Sequence, residues 1–221
     1  MKKLKVFSFL LLGTLLSNTN MTAQDDNTAF DKGTVVITAG LGFPDFNRLD
    51  TRTRYTGNGA YNSTTVRGFG PLILKGDFGI VKFKWGHTLG LGFVLGYNST
   101  TVNFAYTDYK YNYGNGNYYY ETYNQTDRFK TITVGARATY HFFTKEKIDC
   151  YANVGLGYNI RTYSRTTNDP YGNYAYSGAQ SGAYTAFTAG IRYYFTKNFG
   201  VYAELGWDMS TPIQAGIALK F

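Results

Sequence analysis

The sequence predicts an all-β protein: one eight-stranded antiparallel up-and-down β-barrel that crosses a membrane. Three observations carry that expectation. Beyond residue 33 the chain is a succession of stretches in which apolar residues alternate with small or polar ones, the period-two signature of strands with two unlike faces. The composition is rich in Gly (26), Tyr (22) and Phe (17), holds only 4 Pro and is 16% charged, a mixture that suits strands and turns. The one helix-like apolar run, Val6 to Leu16, is shorter than the roughly 20 residues a spanning helix needs, so a crossing must be made by strands.

That apolar run belongs to a leader. Lys2, Lys3 and Lys5 precede it and the small-residue exit Met21-Thr22-Ala23 follows it, the layout of a secretory signal over residues 1–23. Residues 24–33 then form a short periplasmic N-terminal segment, and 34–221 the barrel. No cysteine near Ala23 offers a lipid anchor. The single Cys150 reads as a small hydrophobe at a strand start. Three of the 22 basic residues lie in the leader, leaving 19 against 14 acidic, dispersed without a basic stripe, so no nucleic-acid partner is expected.

The strands follow in order. Val35, Ile37, Ala39, Leu41 and Phe43 make the first apolar face, Leu72, Leu74, Phe78 and Ile80 the second, and Leu89, Leu91, Phe93, Leu95 and Tyr97 the third. Ile132, Val134, Ala136, Ala138, Tyr140 and Phe142 mark the fourth; Ala152, Val154, Leu156, Tyr158 and Ile160 the fifth. Phe187, Ala189, Ile191, Tyr193 and Phe195 mark the sixth, and Val201, Ala203, Leu205 and Trp207 the seventh. The eighth runs from Ile213 to Phe221. Each suits a tilted strand crossing the hydrocarbon. Short links around Lys82–Gly86, Thr144–Asp149 and Lys197–Phe199 alternate with longer ones at Pro44–Gly70, Asp108–Thr126 and Thr166–Ser181, with Ser210–Pro212 short. Short turns on the periplasmic side and long loops outside are the pattern of outer-membrane barrels.

A soluble barrel also alternates, and residue volume decides between the two. The polar faces carry Gly40, Gly42, Gly90, Gly92, Gly96, Gly135, Gly155, Gly157, Gly190, Gly206 and Gly216. An eight-stranded barrel has room inside only for small or closely packed side chains, so the bulky apolar set must face outward, into lipid. Aromatics near strand ends fit two interfacial girdles: Phe43 and Trp207 at the outer end, Tyr140, Phe142, Tyr193, Phe195 and Phe221 at the inner.

The final run, with Gln214, Gly216, Leu219 and Phe221 at set intervals, resembles the C-terminal sorting signal of bacterial outer-membrane barrels. On that motif and the strand pattern the chain resembles the small eight-stranded outer-membrane barrel family, the OmpA and OmpX type or porin-like barrel domains. The resemblance implies location in the outer membrane of a Gram-negative cell as a multi-pass barrel. It implies contact with membrane lipid and lipopolysaccharide, and insertion by the barrel-assembly machinery. Larger members add a periplasmic peptidoglycan-binding domain, for which this sequence leaves no room.

Charges of inward parity are Lys75, Asp77, Arg137, Arg192, Glu204, Asp208 and Lys220. Charges inside a barrel are costly unless paired. A Lys197–Phe199 loop would set Arg192 opposite Glu204. Similar counting sets Arg137 across from Gly155 or Gly157, and Asp77 near Gly90 or Gly92. A polar plug is therefore expected in which Asp77 and Glu204 hold Arg137 and Arg192. It serves either to keep the barrel folded or to gate a narrow path.

The most distinctive functional feature is the second outer loop. Tyr109, Tyr111 and Tyr113 climb to Gly114-Asn115-Gly116, and Tyr118, Tyr119, Tyr120 and Tyr123 descend, so the third and fourth strands are expected to project as a hairpin. Tyrosine gives amphipathic contact area that suits a surface glycan or protein ligand; the plainer reading is cross-strand pairing that stiffens the hairpin. Tyr171, Gly172, Asn173, Tyr174 and Tyr176 repeat the composition in the third outer loop. Arg48, Arg52, Arg54 and Arg67 in the first would meet lipopolysaccharide phosphates or simply solvent.

His87 and His141 map to the periplasmic ends of strands three and four. A dyad of His141 with Thr139 or Thr131 would be the only catalytic reading; a satisfied lumen or rim histidine is the plainer one. No metal-ligand spacing, phosphate loop or nucleophile elbow is present, and neither catalysis nor a cofactor is expected. The leading function is a non-enzymatic outer-membrane barrel with Tyr-rich loops for surface interaction or envelope integrity. The alternative is a narrow porin-like channel for ions or small solutes.

Overall fold

The computed structural model describes residues 28–56, 61–114, 116–170 and 180–221. The signal expected over 1–23 and the third-loop tyrosines lie outside them. Eight strands, β1 (Val35–Phe43), β2 (Tyr61–Lys82), β3 (Thr88–Asn112), β4 (Asn117–Thr144), β5 (Ile148–Thr167), β6 (Gly182–Tyr194), β7 (Phe199–Asp208) and β8 (Thr211–Lys220), form one closed barrel in sequence order. Every neighbouring pair is antiparallel, and β8 returns to β1, with Ile37 beside Leu219 and Phe43 beside Ile213. Beyond β8, Phe221 N donates to Val35 O at 2.8 Å and its carbonyl accepts from Val35 N at 3.1 Å, so closure runs to the last residue.

The barrel is inside out relative to a soluble one. Its largest fully buried side chains include Arg192, Lys75, His141, Gln214 and Glu204, while Leu156, Phe187, Leu205 and Leu41 are more than half exposed on the outer face. Glycine makes the charged interior fit. Gly92 lies beside Asp77 on one flank and Arg137 on the other. A Cβ at Gly92 would fall 1.7 Å from the Gly76 carbonyl oxygen, so only glycine lets the strands approach there.

Strand lengths are unequal. β2 to β5 run 20 to 28 residues, whereas β1, β6, β7 and β8 run 9 to 13. Above Ile132 the outward residues of β4 turn polar, at Lys130 and Arg128, and above Ile160 those of β5 become Thr162 and Ser164. Four strands therefore continue past the apolar belt as a curved sheet. The extension of β3 and β4 follows the expected hairpin; that of β2 and β5 does not appear in the periodicity, because above the belt neither face is apolar.

The segment expected as an open loop between Pro44 and Gly70 holds helix α1 (Phe46–Thr56) and the outer part of β2. Asp45 caps the helix, accepting from Arg48 N at 3.2 Å through its carboxylate and from Leu49 N at 3.0 Å through its carbonyl. Asp50 and Arg54 add an i,i+4 pair at 2.8 Å.

Three turns differ from the sequence reading. Asp149 belongs to β5, with its side chain buried in the lumen, and the β4–β5 turn is only residues 145–147. The turn after β6 is centred on Lys197, because the Thr196 hydroxyl accepts from Phe199 N at 3.0 Å and Phe195 N donates to Phe199 O at 3.0 Å. Arg192 consequently faces Tyr202, and Glu204 faces Gly190, a shift of two residues from the expected pairing. Between β7 and β8 the turn is Met209–Ser210, both at positive φ (51° and 64°), which places Pro212 inside β8.

Candidate functional site

The lumen is filled in three layers. At the mouth ringed by the short turns residues 28–34 fold into the barrel: Ala29 N donates to Lys145 O at 2.8 Å and Gly33 N to Gly79 O at 2.9 Å. Phe30 is thereby buried against the His141 ring, with centroids 3.6 Å apart and planes within 8°. A charged layer follows. Glu204 accepts from Lys75 Nζ at 2.5 Å, Tyr151 OH at 2.8 Å, Thr188 Oγ1 at 3.0 Å and Arg137 Nη2 at 3.1 Å. Asp77 pairs with Arg192 Nη2, lies 3.1 Å from Arg137 Nε, and accepts from Thr139 Oγ1 at 3.0 Å. Arg192 also reaches Asp149 at 3.1 Å, and His141 Nδ1 lies 2.7 Å from the same carboxylate. Lys75 completes the layer on Asp208 at 2.7 Å and Gln214 at 2.6 Å. Above it Ile73, Val94, Tyr184 and Ala186 form an apolar plug joined by Met209.

Every inward charge named from sequence is thus in the lumen. Asp77 and Glu204 do hold Arg137, and Asp77 holds Arg192, but the second acceptor for Arg192 is Asp149 rather than Glu204. Asp149, Tyr151 and Thr188 are the members that parity reading left out. Asp149 was hidden by its assignment to a turn; Tyr151 and Thr188 share the inward parity of Asn153 and Arg192 and could have been counted. Lys220 sits lower, its Nζ 3.4 Å from Thr28 O and over the Tyr194 ring. No His–Thr dyad forms with Thr139, whose hydroxyl is given to Asp77. His87 pairs at the rim with the Tyr140 hydroxyl.

The outer end is a vestibule between α1 and the inner face of the projecting sheet. Its centre is Asp127, buried yet accepting from Tyr55 OH at 2.8 Å, Tyr163 OH at 2.9 Å, Gln125 Nε2 at 2.9 Å and Arg165 Nε at 3.0 Å. Burial alone would raise the Asp127 carboxyl, but the hydrogen bonds from Arg165, Tyr55, Gln125 and Tyr163 outweigh it and hold the group below its usual value. Burial and the bond to Asp127 push the Tyr55 phenol up, and the Tyr163 phenol to about 12. Two hollows that share Tyr55 and Arg165 flank this hub. One of about 420 Å3 is edged by Arg54, Lys130 and Arg161, the other of about 540 Å3 by Tyr61, Phe104 and Tyr106.

The hairpin tyrosines divide between two faces. Tyr109 pairs with Tyr120 and Tyr111 with Tyr118 across β3 and β4. On the outward face Tyr109 stacks on Tyr118 at 4.7 Å and 3°, and Tyr113 meets Tyr111 edge-on at 5.0 Å. Tyr119 and Tyr123 take the opposite parity; Tyr123 is buried against Tyr106, so the seven do not form one surface. Of the first-loop arginines, Arg48 donates to Gly68 O at 3.2 Å and Arg54 pairs with Asp50, while Arg52 and Arg67 are exposed.

No protein-family model and no curated protein sequence matches the chain. Among solved structures it is similar to Ail, the attachment invasion locus protein of Yersinia pestis. The complex of that protein with the heparin analogue sucrose octasulfate is 14% identical over 86% of this chain and 99% of that one, with a TM-score of 0.35. A second structure of Ail is 12% identical with the same coverage and TM-score.

Proposed function

We propose that this protein is a non-enzymatic integral barrel of the Gram-negative outer membrane whose work is done by its outer end, through contact with a partner at the cell surface. One observation carries the reading: a lumen closed by paired charges lies beneath a four-stranded extension that rises past the apolar belt. The belt itself supports the membrane location, since exposed leucine, isoleucine and phenylalanine around a whole barrel are stable only against lipid. A pore would need a continuous wet path, whereas here Phe30, the Asp77–Arg137–Glu204 layer and the Met209 plug succeed one another along the axis.

Purified protein in a planar bilayer is expected to give no steady conductance. Trimming the hairpin between Asp108 and Glu121, which face each other in register, to a two-residue Asn-Gly turn should leave the barrel folded and remove binding of cells to their surface partner. Reproducible channels that change when Arg137 or Glu204 is neutralised would favour a narrow pore instead.

A further inference from the structure

The 540 Å3 hollow on the inner face of the extension combines an aromatic wall with paired charges. Its size falls within the roughly 300–1,000 Å3 of small-ligand sites. Tyr61, Phe104 and Tyr55 form a continuous aromatic wall, with Tyr61–Phe104 centroids 4.5 Å apart and Tyr55–Phe104 5.3 Å. Phe104 is almost fully buried, while Tyr61 and Tyr55, near-parallel with centroids 5.9 Å apart, are partly exposed and form the accessible part of the wall. Facing them are charges already matched within the protein: Asp108 with Lys110 at 2.8 Å, Asp127 with Arg165 at 3.0 Å, and Asp169 accepting from Tyr106 OH at 2.7 Å.

This arrangement selects by chemistry. An anionic ligand needs cations in excess, and both cations here have a carboxylate at ion-pair distance. A cationic ligand needs a carboxylate that no donor of the protein holds, and each of the three here already accepts from one, Asp108 from Lys110, Asp127 from Arg165 and Asp169 from the Tyr106 hydroxyl. A neutral polyhydroxylated ring needs neither. Its C–H face packs on the exposed tyrosines, and its hydroxyls donate to the Asp108 carboxylate and accept from the Lys110 ammonium, the accessible pair of the hollow. We infer that this hollow is a binding site for a neutral glycan, one or two hexose units deep, and that it is the contact through which the outer end works. The inference rests on the outer-surface reading above and deepens it.

The full-length mature protein in lipid nanodiscs, free of glycoside detergents, is titrated by calorimetry with lactose, cellobiose and diacetylchitobiose. At least one is expected to bind saturably, with a Kd at or below about 1 mM. Tyr61→Ala and Lys110→Ala should each weaken it by about tenfold or more. Tyr118→Ala, on the outward stripe, should leave it unchanged, with heat-modifiable gel mobility reporting that every variant is a folded barrel. No saturable binding by any of the three, tighter binding of a sulfated disaccharide, or loss of binding in Tyr118→Ala but not Tyr61→Ala would each overturn the site. Membrane-impermeant maleimide labelling of Tyr113→Cys on intact cells, in a Cys150→Ala background, separates the two readings. Labelling without disaccharide binding sinks only the glycan site, whereas absence of labelling sinks the surface reading and this inference with it.

Discussion

Glu204 is where the interior is most concentrated, with one carboxylate shared by an ammonium, a guanidinium and two hydroxyls. Burying charge in this way is neutral at best compared with an apolar core, but removing one member leaves the others uncompensated. Glu204→Ala should destabilise the barrel by about 3–5 kcal/mol in urea unfolding from lipid vesicles. Glu204→Gln should lose less, since an amide oxygen still accepts from Tyr151 and Thr188. Equal losses for the two variants would mean that shape rather than charge is being measured. Residue parity made most of this layer legible from sequence, because alternation states which face a charge takes. It could not state partners. Those depend on register, and the register of β6 with β7 turned on the Thr196 hydroxyl, a single side-chain contact that no periodicity records.

Helix α1 is the element that sequence reading missed. Its Asp45 cap and its Asp50–Arg54 pair were visible in the chain, but Thr51, Thr53 and Thr56, each bonding back to the carbonyl four residues before, dilute any helical periodicity. What docks the helix at its C-terminal end is Tyr55 on Asp127, and that contact sets a pH window. Asp127 is depressed in the fold, so its stabilisation is fully present above the ordinary carboxylate value of about 3.9 and is lost as pH falls through its lowered value. Tyr55 and Tyr163 are raised, so theirs is present below about 10 and is lost as pH climbs through the raised values. Amide hydrogen exchange over residues 46–56, corrected for its intrinsic pH dependence, should show a flat plateau of protection between about pH 4 and 10. Asp127→Asn should lower that plateau throughout. Protection that fell near neutral pH in the parent protein would place the docking contact elsewhere.

At the scale of the molecule the barrel was legible because closure imposes a global constraint: volumes and parity had to agree around eight strands, and that held although three turns shifted. The outer sheet and the inserted residues 28–34 obey no such constraint and are held by particular contacts instead, Tyr55 on Asp127 above and Phe30 on His141 below. Phe221 joins the two kinds of argument. Its two main-chain bonds with Val35 close the barrel, and its aromatic ring lies on the outer face at the rim of the short turns. If those bonds were its whole contribution, deleting Phe221 would cost about 1–3 kcal/mol and assembly in cells would fall only in proportion. If the terminal aromatic is also read during insertion, the deletion should cut the heat-modifiable, folded fraction in cells sharply while the same protein still refolds into vesicles with that small loss. Comparing the deletion with Phe221→Ala separates the two, because alanine keeps both backbone bonds and loses only the aromatic. Normal cellular assembly of the deletion would reduce Phe221 to the last rung of the β8–β1 ladder.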